Sequence, residues 1–225
     1  KPSLAKKVHE KFVIELSKSA KKYDIYLIHI STDHLFSGKK GLYKEIDKPK
    51  PLNIYAKTKL ESEKIIKKNL KKYLIIRGNF FGWAPPYRKS FLDWIVLSNK
   101  MKKKINVFDD VKFTPLYILD FIKLVSMLIS KRAYGTYNVC SSNKTSKFKF
   151  AKKIMKIFKL NQDYIIKSSI EDSMLTLRPL DMSLSFNKIR KKLKLNKSKF
   201  TILNQIKNLK LSQNKKFIKK ISNMK

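Results

Sequence analysis

The sequence predicts an α/β chain built on a parallel β-sheet, and three observations predict it. Residues 25–31 form a short, strongly apolar run that closes in the small polar residues Ser31-Thr32-Asp33, the pattern of a strand buried inside a parallel sheet. A second run of this kind, 73–77, ends at Arg77-Gly78. Stretches with apolar residues at helical spacing, 4–22, 54–68 and 118–130, alternate with such runs, and strands that alternate with helices pair in parallel through crossover connections.

Each element has a local cause. The helix over 4–22 carries Leu4, Val8, Phe12, Ile14, Leu16 and Ala20 on a broad apolar side. In the strand that follows, His29 reads as a packed core residue, and groups that act on a ligand belong at the strand's C-terminal end. Gly38, Gly41 and Pro49 make 36–50 an irregular loop. Pro51-Leu52-Asn53 then starts the helix over 54–68, with Asn53 as its N-cap. After the strand at 73–77 the pattern loosens at Trp83-Ala84-Pro85-Pro86-Tyr87. A helix over 90–100 should turn Phe91, Trp94, Ile95 and Leu97 inward, and 106–108 should be a short strand. At the Phe113-Thr114-Pro115 turn, Thr114 either faces a ligand or shapes the turn. The helix over 118–130 and a strand at 136–139 complete the sheet. From Ser146 the chain is helical and basic: Phe148, Phe150, Ala151, Ile154, Met155, Ile157 and Phe158 form a core-facing stripe. Ile202, Leu203, Ile206, Leu209 and Leu211 mark a terminal amphipathic helix.

With 225 residues, 43% of them apolar, the chain can bury a real core. Its net charge of +37 does not make it a nucleic-acid reader. Of 53 basic residues only Arg77, Arg88, Arg132, Arg178 and Arg190 are arginine, the side chain that reads bases and phosphates through a planar fork. Lysines are scattered over every predicted helix beside abundant Ile and Asn, as an AT-rich coding bias produces. The charge should speed encounter with anionic ligands in a salt-dependent way, with no specific nucleic-acid partner. Cys140 is the single cysteine, which excludes a disulfide framework and fits a reducing cytoplasm. His9, His29 and His34 show no metal-ligand spacing, so no metal site is expected. No run approaches the roughly 18 apolar residues of a membrane span, so no membrane partner is expected.

The chemistry concentrates in Tyr55-Ala56-Lys57-Thr58-Lys59. Helix positions i and i+4 lie one above the other, so Tyr55 and Lys59 point into one cleft. Tyr55 sits in the first turn, where the positive end of the helix dipole also favours a phenolate. An unperturbed phenol has a pKa near 10, and an ammonium within roughly 4–6 Å can lower such a value by one to three units. The same spacing arises by chance on lysine-rich surface helices, so its surroundings decide.

Those surroundings are 28–38 (Ile28-His29-Ile30-Ser31-Thr32-Asp33-His34-Leu35-Phe36-Ser37-Gly38), Tyr43-Lys44-Glu45, and Pro51-Leu52-Asn53 before Tyr55. Further on come Ile75-Ile76-Arg77-Gly78-Asn79-Phe80-Phe81-Gly82, Thr114-Pro115, and Arg178-Pro179 followed by Asp181-Met182-Ser183-Leu184. From about Leu4 to about Leu195 this pattern resembles the extended short-chain dehydrogenase/reductases, and within them the dTDP-4-dehydrorhamnose reductase family.

The resemblance implies the later strands of a Rossmann-like parallel sheet with a smaller, mainly helical substrate domain. Residues 1–82 and 116–140 would form the partial NAD(P)-binding part, and 83–115 and 141–225 the substrate-binding part. It implies reduction of a 4-keto sugar nucleotide by NADPH or NADH, with Thr32, Tyr55 and Lys59 as the catalytic residues. Tyr55 matches the proton donor, Lys59 its partner that also holds the nicotinamide ribose, and Thr32 the hydroxyl on the substrate carbonyl. Ile30, Tyr55, Lys59 and Gly78 would meet the cofactor, and Thr32, Asp33, Phe80 and Arg178 the sugar nucleotide. Phe80 reads equally as a core phenylalanine, and Arg178 equally as an ion-pair partner of Glu171 or Asp172. A homodimer is the candidate assembly. His34 stands where the family commonly has a tyrosine.

None of the five glycines, Gly38, Gly41, Gly78, Gly82 and Gly135, belongs to the glycine-rich strand-to-helix turn that holds a dinucleotide pyrophosphate. The chain therefore reads as a fragment of a longer reductase, with little activity of its own, or as a degenerate product. Two other readings stay open: a regulatory relative that binds dinucleotide without turnover, as the beta subunit of methionine adenosyltransferase does, and an epimerase or dehydratase of the same superfamily. Dehydratases commonly add an acidic residue beside the threonine and aspartate, where this chain has His34.

Overall fold

The computed structural model describes residues 2–170 and 179–213. Its first half runs α1 (Pro2–Lys22), β1 (Leu27–Ile30), α2 (Ile54–Asn69), β2 (Tyr73–Arg77), β3 (Phe80–Phe81), α3 (Phe91–Lys100), β4 (Ile105–Phe108), β5 (Lys112–Phe113) and β6 (Leu116–Tyr117). Then follow α4 (Ile118–Ser130), β7 (Gly135–Asn138), β8 (Thr145–Ser146), α5 (Lys147–Phe158), β9 (Ile165–Ser168), α6 (Asn187–Leu193) and α7 (Ile202–Gln213). The main sheet is parallel in the order β1-β2-β7, with Leu27 opposite Tyr73 and Leu74 opposite Gly135. Smaller pairs join β3 to β6 and β4 to β9 in parallel, and β5 to β8 antiparallel. The fold is the α/β architecture on a parallel sheet that the sequence predicts.

β2 is the fully covered strand: Leu74, Ile75 and Ile76 are each 0% exposed. On one face Ile75 packs with Val13, Ala20, Ile66 and Leu70 of the α1–α2 layer. On the other, Leu74 and Ile76 join Phe121, Leu124 and Leu128 of α4 and Leu184 and Ile189 from the later chain. A separate core gathers α3, β4, α5 and α7 around Phe150, Ile154 and Ile206.

Several expectations need correction. β1 is not buried: among the described residues it is an edge strand, with Ile28 and Ile30 36% and 39% exposed and His29 only half-buried. In α1 the inward stripe is Val13, Ser17 and Ala20, while Phe12 points to solvent; small side chains at i, i+4 and i+7 let α1 seat against α2, and a broad apolar count hides that seam. In α3 the buried apolar residues are Leu92, Ile95 and Val96, while Trp94 and Leu97 are partly exposed. In α7, Ile202, Ile206 and Leu209 are buried and Leu203 and Leu211 are not. In α1 and α3 the buried face is turned by about one residue, 100° on a helix, and in α7 the expected stripe stands but is narrower, details that periodicity alone does not fix where the apolar face is wide. The stripe on α5 stands: Phe150, Ala151, Ile154 and Met155 are buried, with Phe148, Ile157 and Phe158 packed beside them. Among the described residues no helix is long and apolar enough to cross a membrane.

The loop after β1 is held down at many points. Phe36 and Tyr43 stack with ring centroids 4.1 Å apart. The Tyr43 main chain exchanges hydrogen bonds with the 183–185 segment, Tyr43 N–H to Ser183 O at 2.9 Å and Ser185 N–H to Tyr43 O at 2.8 Å. Asn138 donates through Nδ2 to Tyr43 O and through its N–H to Glu45 Oε1. Gly41 has φ +72°, and a Cβ there would run into the Asp181 carboxylate. Asp181 also accepts from Lys144 at 2.9 Å. The loop thus ties the C-terminal side of the sheet to the later chain.

Candidate active site

The site grows from the C-terminal end of β1. There Thr32 caps a short turn over Asp33–Leu35: its Oγ1 accepts from the His34 N–H at 3.2 Å and donates to Asp33 Oδ1 at 3.4 Å. Opposite, Asn53 caps α2 as the sequence predicts, its Oδ1 accepting from the Ala56 N–H at 2.9 Å. That cap fixes the first turn of α2 and places Tyr55 54% exposed. One turn later the Lys59 ammonium donates to the main-chain carbonyl of Ile30 at 3.0 Å. Burial pulls the Lys59 ammonium below its ordinary value.

Two contacts therefore bind α2 to the end of β1, one on each side of Thr32. Lys59 holds Ile30, two residues before it, and the Tyr55 ring meets the His34 ring edge to face, two residues after it, with centroids 6.4 Å apart. Asp33 is 1% exposed, and burial raises its carboxyl above the ordinary range against the pull of His34, Lys147 and Asn79.

Beside these groups opens a cleft of about 580 Å³, lined among others by Tyr55, Asn79, Phe80, Trp83, Arg88 and Lys147. Phe80 is 49% exposed and leans on Phe121 at 5.0 Å between centroids, so it offers a ring face rather than filling the core. Thr32, 5% exposed, Asp33 and Lys59 are not among the lining residues, so of the expected pair only Tyr55 faces this cleft. Gly78 is packed tightly: a Cβ there would lie 2.5 Å from Val139 O and 2.9 Å from Phe121 Cε2. Thr114 is buried, its Oγ1 accepting from the Leu184 N–H at 3.0 Å, which gives it the turn-shaping role. Arg178 and its proposed partners Glu171 and Asp172 lie outside the described residues.

The nicotinamide-ribose end of a dinucleotide suits what is here, because Lys59 spends one of its three N–H donors on Ile30 and stands a helical turn from the phenol. The described residues supply no glycine-rich turn for the pyrophosphate. Among them, no three His, Cys, Asp or Glu side chains gather as a metal site would require.

Sequence reasoning missed three neighbours. Glu63, one turn beyond Lys59, forms a buried pair with Arg77 at 2.6 and 2.9 Å. His34 touches Tyr55, and Lys147, first residue of α5, lies over the Phe113 ring at 3.6 Å on the wall of the cleft. The spacing 55-59-63 was a usable signal for Glu63, since all three share one helix face.

The chain is similar to several known proteins. The chain is 29% identical over 160 residues to the methionine adenosyltransferase 2 subunit beta of Bos taurus, covering 67% of this chain and 47% of that protein. It is 31% identical over 164 residues to the spore coat polysaccharide biosynthesis protein SpsK of Bacillus subtilis, covering 72% and 56%. The chain thus spans about half the length of the curated relatives it matches. Among solved structures it superposes on a dTDP-4-dehydrorhamnose reductase from Bacillus anthracis, in complex with NADP, with a TM-score of 0.81 and 26% identity, covering 89% of this chain and 70% of that one. The family described as RmlD substrate binding domain matches residues 1–208, and the chain belongs to it.

Proposed function

We propose that this chain carries the proton-donating and sugar-binding portion of an NAD(P)H-dependent reductase of a 4-keto sugar nucleotide, of the dTDP-4-dehydrorhamnose type. The observation that carries this reading is the pair of contacts that brackets Thr32: Lys59 on Ile30 and Tyr55 on His34. The cofactor, when bound, supplies hydride to the ketone carbon. Tyr55 gives its phenolic proton to the oxygen that becomes alkoxide, and Lys59 stabilises the phenolate left behind. Thr32 donates to the same oxygen: its bond to Asp33 at 3.4 Å is long, so little is lost when the hydroxyl rotates toward substrate. Phe80 offers a ring for the sugar, and Lys147 and Arg88 bring positive charge to the cleft for the diphosphate.

In this reading residues 1–82 and 116–140 form the nucleotide side and 83–115 and 141–225 the substrate side. Asp33 and Arg178 belong with the substrate, Ile30 and Gly78 with the nicotinamide. The location would be cytoplasmic, and the relative named for spore coat polysaccharide synthesis favours a deoxysugar destined for a surface polysaccharide. The likeness to the methionine adenosyltransferase beta subunit favours a second reading, a regulatory protein. The test is reduction of dTDP-4-dehydrorhamnose by the complete protein with NADPH or NADH, read as loss of reduced-nicotinamide absorbance beside the Tyr55→Phe variant. Turnover that depends on Tyr55 supports the reductase, whereas cofactor binding without turnover supports the regulatory reading.

A further inference from the structure

The sequence singles out Tyr55 and Lys59, but the face they share continues. Glu63 is the next residue on it, is 0% exposed, and meets Arg77, 1% exposed, through two hydrogen bonds: Arg77 Nε to Glu63 Oε1 at 2.9 Å and Nη2 to Oε2 at 2.6 Å. Burial works against the Glu63 charge, yet the Arg77 guanidinium holds its carboxyl below the ordinary range. Arg77 is fixed from other sides as well. Its Nη1 donates to Glu45 O at 3.3 Å, and its guanidinium lies over the Phe36 ring at 5.5 Å. Glu45 in turn accepts from the N–H of Asn138 on β7.

Arg77 is thus the last residue of β2, clamped to the loop after β1 and to α2 at once. A fork-to-fork pair constrains orientation as well as distance, which a single contact does not. α2 rests on the sheet partly through apolar contacts such as Ile66 against Ile75, which are non-directional. The Glu63–Arg77 pair fixes the rotation of that helix, and rotation decides whether Lys59 reaches Ile30 O and where Tyr55 points.

We infer that Glu63 and Arg77 are positioning residues for the Tyr55–Lys59 pair: they lock the rotation of α2 so that Lys59 keeps its hydrogen bond to Ile30. The inference rests on the reading of Tyr55 and Lys59 proposed above, but its test does not need turnover. The titratable groups that face the pair are His29, which feels both Lys59 and Glu63 and whose imidazole burial lowers to about 4, and Lys67, 3.2 Å from Glu63.

The experiment follows the Lys59 ammonium in nitrogen-15 lysine spectra of the whole chain, its signal assigned by Lys59→Arg. Proton exchange at that ammonium is compared in Arg77→Lys, Glu63→Gln and the apolar double variant Glu63→Leu/Arg77→Met. Leu70→Ala, which removes apolar packing at the far end of α2, is the control for destabilisation alone. Exchange at Lys59 is expected to quicken at least about tenfold in the pair variants, the factor expected when a hydrogen bond from a charged donor is lost. It should stay unchanged in Leu70→Ala. Arg77→Lys keeps the charge and loses the fork, so it separates positioning from field. The double variant keeps a packed, uncharged contact and covers the case in which a single variant fails to fold. Unchanged Lys59 exchange in whichever pair variants fold, despite lowered melting temperatures, would overturn the inference and leave the pair a purely structural clamp. Absence of turnover in the native protein would instead count against the proposed reaction and leave this result standing.

Discussion

Lys59 on α2 hydrogen-bonds the main-chain carbonyl of Ile30, the last residue of β1, at 3.0 Å. The bond crosses from helix to strand at the last residue of the strand, just before Ser31-Thr32, so it sets the height of the helix against the mouth of the sheet. It also orients an ammonium without neutralising it, because a carbonyl carries no net charge. The positive field needed to stabilise a phenolate is kept.

Replacing Lys59 with Met should therefore do two things at once. Turnover by the complete protein should fall by about 10²- to 10⁴-fold, the range for losing a group that assists proton transfer. Cofactor affinity should weaken too if, as proposed, the same ammonium serves the ribose. Steady-state kinetics and fluorescence titration with NADPH check the two effects separately, and unchanged affinity would remove the ribose contact from the assignment.

Tyr55→Phe should divide differently. The hydroxyl leaves and the ring stays, so the edge-to-face contact with His34 persists. Because Tyr55 is 54% exposed, stability should change by no more than about 0.5 kcal/mol in urea unfolding. Turnover should fall by about 10²-fold or more with NADPH affinity retained. Turnover equal to that of the native protein would remove Tyr55 from its acid role.

Gly78→Ala tests packing rather than chemistry. A Cβ 2.5 Å from Val139 O and 2.9 Å from Phe121 would force β2 and β7 apart at their C-terminal ends. Overpacking of this kind costs about 1–3 kcal/mol, measurable as a lowered urea midpoint with an unchanged slope. Gly82→Ala meets the branch methyl of Ile118 at 2.7 Å, and a β-branched side chain is stiff at χ1, so it should also lower the midpoint, through the start of α4 instead of the sheet.

How much of this was legible depends on whether the cause is local. The Asn53 cap was, because Pro51-Leu52-Asn53 names a helix start within a few residues. The strand at 73–77 was, because a run buried on both faces has no polar alternation to confuse it. The edge position of β1 was not, since neighbours in a sheet are chosen by topology and not by the strand's own residues. Phe12 and Trp94 read as inward because both helices carry apolar residues over more than half a turn, and size draws attention away from Val13 and Ser17, although Ala20 is buried as expected. Thr114 was left open between ligand and turn, and only the distant Leu184 N–H decides it. The 55-59-63 spacing puts Glu63 on the face of Tyr55 and Lys59, but its partner Arg77 is fourteen residues away on another element, so nothing local names the pair.

His29 and Glu63 make the protein less stable as pH falls, whereas Asp33, whose carboxyl burial raises, takes up its proton more readily in the folded chain and opposes them in the carboxylate range. Burial, aided by the nearby Lys59 charge and opposed by Glu63, lowers His29 to about 4, so between the unfolded value near 6.5 and about 4 the unfolded chain binds a proton that the folded chain refuses. Stability contributed by neutral His29 is present above the unfolded value and is lost as pH falls through that window. Glu63 is also depressed, by Arg77 against the cost of burial, so its contribution is present above the ordinary carboxylate range and is lost as pH falls below it. The two windows adjoin, and the urea midpoint should drop continuously from about pH 6.5 downward rather than in a single carboxylate step. His29→Leu abolishes the upper part of the slope and leaves the lower part, whereas Glu63→Gln removes only the Glu63 share of the lower part, to which the depressed Asp47, Asp109 and Asp181 also contribute, at the cost of an uncompensated Arg77. Urea melts at several pH values for the three proteins separate these contributions, and a His29→Leu profile that still falls between about pH 6.5 and 5 would assign the upper window to another group.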